Sequence, residues 1–272
     1  SGADVLIVAR VLGPATVVIY SCTAKLVTVL QNQPQMLASI ALPGLSQMKT
    51  SESRDRTRRA TVCLTQGMLF VAGAVFSVVL ALNHQFVNLW VGAKFFGGVP
   101  LTLLVLANFM IRLIDYTLAL ALFAFGYERS LALRYLADAL VSAGLATILI
   151  TPLGLPGVAT GFLLGGILVA VPIDIYLLAR ELQISILQVV QPYIPYLWRC
   201  AVVSVMAYAI NQWIEIPNFF VLVAVGLFIG LLYLGVMIPY VWRSELGAYV
   251  RPVWNSLESN LRGRVLGWSN NS

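Results

Sequence analysis

Leu103 to Phe123, LLVLANFMIRLIDYTLALALF, is long and apolar enough to cross a bilayer, yet Arg112 and Asp115 sit near its middle. A helix needs about 20 apolar residues to span a hydrocarbon core of about 30 Å. The rest of the chain decides how the stretch is read. Of 272 residues, 60% are hydrophobic and only 10% are charged, and the mean hydropathy is +0.88. Soluble domains carry about 25% charged residues. The stretch therefore reads as a transmembrane helix and the protein as an integral membrane protein. Short strands of alternating polarity are missing, so helices are the solution to backbone hydrogen bonding in lipid. The expected fold class is all-α: a polytopic transmembrane helical bundle.

Further apolar runs separated by short polar breaks predict spans at Ala15–Met48, Ala60–Leu82, Val99–Phe125, Ser130–Ile150, Pro156–Ala179, Tyr196–Gln212 and Phe219–Trp242. Ser1 to Gly13 has no basic leader and reads as the end of a truncated first span, so the chain is expected to be a piece of a longer protein. Residues 1–242 then form one transmembrane lobe, and 243–272 a cytoplasmic tail that is basic and amphipathic. The segment HQFVNLWVGAKFFGG, with its aromatic rings, is expected at the outer headgroup level. ELQISILQVVQPYIP is expected as an interfacial helix on the inner side, ended by Pro192 and Pro195.

One alternating set of loops and termini carries Lys49, Arg54, Arg56, Arg58, Arg59, Arg129, Arg134, Arg180, Arg199, Arg243, Arg251, Arg262 and Arg264. The other set carries Lys94 alone. Basic residues near span ends are retained on the cytoplasmic side, which predicts a cytoplasmic C-terminus in a multi-pass protein. The net charge of +6 is thus mainly a topology signal; a nucleic-acid partner is not needed to explain it, and a basic tail suits anionic membrane lipids. Cys22, Cys63 and Cys200 have neither disulfide nor metal spacing and read as small buried hydrophobes. His84 is the only histidine, and there is no phosphate-binding glycine loop. Ser/His/Asp chemistry, histidine-based zinc sites and nucleotide hydrolysis are therefore excluded, and neither enzymatic activity nor a cofactor or metal is expected.

Charges at mid-membrane cost about 2.5–3.5 kcal/mol each on insertion scales and usually face a bundle interior or water. At 3.6 residues per turn, Asn108, Arg112 and Asp115 share one helix face. They form either a local Arg112–Asp115 pair that makes the span insertable, or a stripe on a hydrated path. In the preceding segment Ser21, Lys25, Thr28, Asn32, Gln35 and Ser39 fall within an arc of about 80°. Lys25 lies about 15 Å of helix rise below Ala15, near the bilayer midplane. This stripe lines a path or packs against polar partners. Pro34 and Pro43-Gly44 predict a bend in the same helix. Arg134, Asp138 and Ser142 share a face, Asp174 is expected to pair with Arg180 or to be solvated, and Asp4 and Arg10 share no face. Gly161 and Gly165 form a GxxxG pair that permits close helix approach. LGPATVVIY (12–20) and LPGVATGFL (155–163) each place a Gly/Pro corner before a small-residue helix start, a faint sign of repeated hairpins.

GADVLIVARVLGPATVVIYSCTAKL resembles the central corner of bacterial polysaccharide flippases, where an Asp-containing helix ends in a Leu-Gly turn. ASIALPGLSQM resembles the inner end of their following helix, FVNLWVGAKFFGG their outer Leu-Trp-x-Gly segment, and PLGLPGVATGFLLGGI a later Gly-rich helix start. Nearly the whole chain is similar to the C-terminal lobe of the multidrug, oligosaccharidyl-lipid and polysaccharide exporter superfamily. That resemblance implies an O-antigen-type flippase of the bacterial inner membrane, two-lobed, alternating access around a cationic polar cavity. Its implied cargo is an undecaprenyl-diphosphate-linked oligosaccharide, and its implied partner is the missing N-terminal lobe. Lys25 and Arg112 would face the diphosphate or acidic sugars, while Asp115 and Asp138 would tune charge or bind a coupling ion. The substrate path so expected comprises Lys25, Thr28, Asn32, Gln35, Asn108, Arg112, Asp115 and Asp138. A drug or metabolite cation antiporter of the same superfamily remains open, with Asp115 or Asp138 then central. So does a membrane-embedded glycan-assembly protein without transport activity.

Overall fold

A computed structural model describes residues 2–31, 54–248 and 251. Its regular structure is entirely helical, with no strand among the described residues: α1 (Gly2–Leu12), α2 (Pro14–Leu30), α3 (Arg54–Trp90), α4 (Val99–Ala124), α5 (Glu128–Leu153), α6 (Leu155–Leu182), α7 (Ile186–Val190), α8 (Ile194–Asn211) and α9 (Phe219–Val241). Among the described residues five helices are long and apolar enough to cross a membrane, namely Arg58–Trp90 within α3, and α4, α5, α6 and α9. The fold is a transmembrane helical bundle. Helix α9 shows why it suits lipid: only Ile229, Tyr233 and Met237, one turn apart, are buried, while Phe220, Leu227 and Leu231 are bare. An apolar surface of that extent is tolerated in hydrocarbon and aggregates in water.

The 37-residue α3 is the central post, packed against α2, α4, α8 and α9. On the other side of α4 stand the α5–α6 hairpin and the α1–α2 corner. Polar side chains join these helices: Thr65 to Thr117 (3.3 Å), Ser77 to Ser204 (2.9 Å), and Tyr233 donating to the Phe70 carbonyl (2.9 Å). Such bonds link helices where the surroundings offer no net hydrophobic drive.

Two corners match between the halves noted in the sequence. Gly13 (φ 87°) precedes Pro14, and Gly154 (φ 64°) precedes Leu155-Pro156. A positive φ is cheap only for glycine, and proline is pre-set for the first helical turn, so each pair reverses the chain in one or two residues. Along the hairpin that follows, Gly157, Gly161 and Gly165 face α5 so closely that a Cβ would collide with the backbone of Leu149, the backbone of Ala146 and the Ser142 hydroxyl. Helix α6 then opens into a π-turn over Gly166–Ala170, just before Pro172. Proline lacks an N–H and crowds the carbonyl four residues earlier, which accounts for the widened turn.

Several boundaries differ from expectation. The span expected to end at Leu82 continues to Trp90, because no glycine or proline interrupts 83–91; the segment from His84 is therefore mostly helix end, with a short turn at Ala93–Phe95. The inner interfacial segment keeps only one helical turn of α7, capped by Ser185 and Gln188. Pro195 opens α8 rather than closing α7, as its place in the first turn requires. Helix α8 forms where a span was expected but at 18 residues is not among the five long apolar helices. Asn32, Gln35, Ser39, Pro34, Pro43 and Gly44 lie outside the described residues, as does most of the tail. The tail's beginning docks on the bundle, Leu246 N donating to Gln66 Oε1 (3.2 Å) and Ser244 meeting the Tyr196 hydroxyl (2.9 Å).

Candidate functional site

Away from the helix ends, the charges of α4, α5 and α6 point at one another rather than outward. Helix α5 is built inside out: its buried stripe is Leu131, Arg134, Asp138, Ser142, Ala146 and Ile150, whereas Leu133, Leu136, Leu140 and Ile148 are exposed. Arg134, whose side chain is 1% exposed, lies between two carboxylates. It holds Asp174 of α6 through Nε (3.1 Å) and Nη2 (2.7 Å), and its Nη1 stands 2.9 Å from Asp115 Oδ1 of α4. The two-pronged contact matches the planar fork of a guanidinium to a carboxylate. The guanidinium also lies 3.9 Å from the centre of the Tyr135 ring.

One turn further along α5, Arg112 of α4 pairs with Asp138 through Nη1. Its Nη2 donates to Ser142 Oγ (3.2 Å) and to the Phe162 carbonyl (3.0 Å), and Ser142 donates to Asp138 Oδ1 (3.0 Å). Gly166 at the π-turn leaves room for the neighbouring Ile111 side chain, since a Cβ there would stand 2.7 Å from Ile111 Cγ2. The Arg112 side chain is 26% exposed. Two guanidinium groups and three carboxylates thus form a cross-helix set, one Arg and one Asp each from α4 and α5 and Asp174 from α6.

This set borders a cavity of about 460 Å³ between α1, α2, α4, α5 and α6. Asn108, Arg112, Asp115 and Asp138 lie on its wall, and Thr28 stands at its α2 edge. The Oδ1 atom of Asn108 is buried and has no hydrogen-bond partner. Asp4 and Tyr20, from α1 and α2, add a hydroxyl–carboxylate bond of 3.1 Å on the same wall. Lys25 is exposed and is not part of the lining; at 100° per residue it sits about 60° around α2 from Thr28, away from Ala24 and Gln31.

One alternative is decided and three expectations change. Of the two alternatives for Arg112 and Asp115 the local pair is not formed: each pairs with a partner on α5. Arg134 is a buried member of the set, not a loop cation. Asp174 is fully buried against Arg134 rather than paired with Arg180 or solvated. The cavity lining holds Asp4, Asp115 and Asp138 against Arg112, so its described wall is not cationic: Lys25 lies outside it and Arg134 is sealed behind it. The signal for Asp174 was present in the sequence, since Ala170, Asp174 and Leu178 form a buried stripe one turn apart. Cys22 and Cys200 are buried and free, as expected of small hydrophobes, whereas Cys63, also free, is only half-buried.

The wall predicts a labelling pattern. With the native cysteines replaced, a cysteine at Thr28 or Ala139 should react with a water-soluble cationic thiol reagent, and one at Ala146, 0% exposed in the α5–α6 contact, should not. Equal, negligible labelling at all three positions would mean that water does not reach the cavity.

Comparisons with protein-family models, curated proteins and solved structures return no match to this chain.

Proposed function

We propose that the chain is one lobe of a membrane flippase that carries an undecaprenyl-diphosphate-linked oligosaccharide across the bacterial cytoplasmic membrane by alternating access, with the α1–α2–α4–α5–α6 cavity as its share of the path. The observation that carries this reading is the Asn108 amide oxygen, buried at span depth on the wall of a polar cavity with no protein partner. Few buried acceptors stay unmet, so one on a residue that lines a polar cavity favours a wall that receives a ligand or water. Arg112 supports the reading further, because it is braced by Asp138 and Phe162 and its side chain, 26% exposed, lies on the cavity wall, where a guanidinium suits a diphosphate.

The exposed polar stripe of Ser21, Lys25 and Thr28 beside the cavity supports a second, N-terminal lobe facing it, since acyl chains would not tolerate a lysine there. Arg58, Arg59, Arg129, Arg180, Arg199 and Arg243 sit at one end of their helices, and Lys94 at the other; the positive-inside bias then sets the arginine-rich end and the C-terminus in the cytoplasm. Export is tested with Arg112→Ala and Lys25→Ala in the full-length protein. Arg112→Ala should lower surface glycan about tenfold or more, the scale of a lost charged hydrogen bond, and Lys25→Ala should lower it through the lost contact with the facing lobe, while membrane insertion stays normal in both. Normal glycan in both variants would defeat the reading.

A second reading has its own observation. Three carboxylates face one guanidinium in the lining, which favours a cationic drug or metabolite over a diphosphate. Efflux of a fluorescent lipophilic cation separates the two: under this reading Asp138→Asn abolishes efflux, and surface glycan is unaffected.

A further inference from the structure

One large side chain of the α5 wall is open where its neighbours are closed. At about 100° per residue, and with Arg134 set at zero, the buried stripe from Leu131 to Ile150 occupies an arc of about 0–160°, while the exposed Leu133, Leu136 and Leu140 lie at about 200–260°. Tyr135, at about 100°, and Ala139, at about 140°, fall inside the inward arc. Yet Tyr135 is 46% exposed, and Ala139 is exposed as well. Both line the cavity of about 460 Å³, so the space their surface meets is the cavity and not the lipid. Among the rings on that lining, Tyr20 and Phe109 are buried and Phe162 is half-buried, which leaves Tyr135 as the open one.

The ring is also held in place. The Arg134 guanidinium lies over one of its faces, 3.9 Å from the centre, and is itself fixed by Asp115 and Asp174. What stays exposed is therefore the opposite face and the edge. Helical side chains lean over the turn that precedes them, so residue 139 is the one on α5 that would cover this ring, and as alanine it offers only a methyl group. The covered face selects the ligand. A cation is drawn to a ring by its electron-rich face, and a guanidinium on the far side already draws on that density. A neutral group that points C–H bonds at the ring gains from the same negative face with no charge to desolvate. A sugar ring has such a face. Arg112 bonds Asp138 and Ser142, which stand one and two turns from Tyr135 on the same side of α5, about 4.5 and 10 Å of helix rise away. We propose that Tyr135 is the platform for the first sugar ring of the cargo: a pyranose lies with its C–H face on the open side of the ring, and the phosphate on its anomeric carbon reaches Arg112. That the sugar belongs to a transported cargo rests on the transport reading; the platform itself does not.

The test uses the purified full-length protein in phosphatidylethanolamine nanodiscs, with α-D-glucose 1-phosphate and N-acetyl-α-D-glucosamine 1-phosphate as probes in saturation-transfer difference NMR. A saturable signal is expected, strongest on the hydrogens of one ring face. Tyr135→Leu should weaken it about tenfold, the upper end for one aromatic contact, and Tyr135→Phe should restore it, since the ring and not the hydroxyl makes the contact. Ala139→Leu should weaken it as much by lying over the ring while the Arg134 contact remains, and this variant decides the matter if Tyr135→Leu does not fold. Surface glycan in cells should follow the same order. Absence of a saturable sugar signal, or a signal that neither leucine variant weakens, overturns the proposal. So does tetramethylammonium that displaces the sugar phosphate and needs the Tyr135 ring to do so, which would make the ring a cation platform. Sugar-phosphate binding that depends on Tyr135, together with normal surface glycan in Tyr135→Leu and Arg112→Ala, would remove the transport reading and leave the platform standing. Lowered glycan in Arg112→Ala with no sugar binding at Tyr135 would do the reverse.

Discussion

Arg134→Met is expected to destabilise the bundle by about 3–5 kcal/mol, the scale for removing one partner from a buried ion pair. The cause is what remains. Asp174 is 0% exposed and Asp115 is 5% exposed, and the guanidinium is the group that neutralises both. Without it Asp174, sealed behind the cavity wall, and Asp115, on that wall, stand close together with no guanidinium between them. A thermal melt in detergent should show a large drop for the single variant. Adding Asp115→Asn and Asp174→Asn to Arg134→Met should restore most of the loss, because neutral groups carry no such desolvation penalty. A single variant that melts with the wild type would show that this network does not hold the helices together.

Gly161→Leu is expected to cost about 3 kcal/mol, at the upper end for overpacking, because the new side chain meets the Ala146 backbone rather than a movable rotamer. Helices α5 and α6 would have to separate. That separation draws Asp138 and Ser142 away from the Phe162 carbonyl, so Arg112 loses its bracing along with the loss of stability. Gly144→Leu is the control on the same hairpin: nothing lies within 4 Å of its would-be Cβ, and leucine is the better helix former. The first variant should melt well below the second. Equal melting temperatures would mean that the hairpin is not closely packed.

Much of the bundle was legible because lipid imposes simple rules. Long apolar runs must become helices, and the positions of α4, α5 and α9 follow from run length alone. The face shared by Arg134, Asp138 and Ser142 was also legible, since a 3.6-residue period puts them together on any helix. What periodicity cannot give is the angle at which one helix meets another. Periodicity left Arg112 and Asp115 either paired with each other or lining a path, because i and i+3 are neighbours on an isolated helix; the approach of α5 sends the two side chains to different partners. Lys25 belongs to the polar stripe of α2, but the turn of that helix against α1 and α4 admits Thr28 to the cavity and leaves Lys25 outside it.

By itself the sequence determined the solvent and the secondary structure: a chain with 10% charge and repeated apolar runs of span length can satisfy its backbone in a bilayer only as helices. Charge pairing, by contrast, was decided by tertiary structure alone. Asp174 meets Arg134, 40 residues away in the chain, because Gly157, Gly161 and Gly165 bring α6 against α5 with no side chain between them. An ion pair is fixed by distances between helices, and those distances are set by packing, which no single helix carries within its own period.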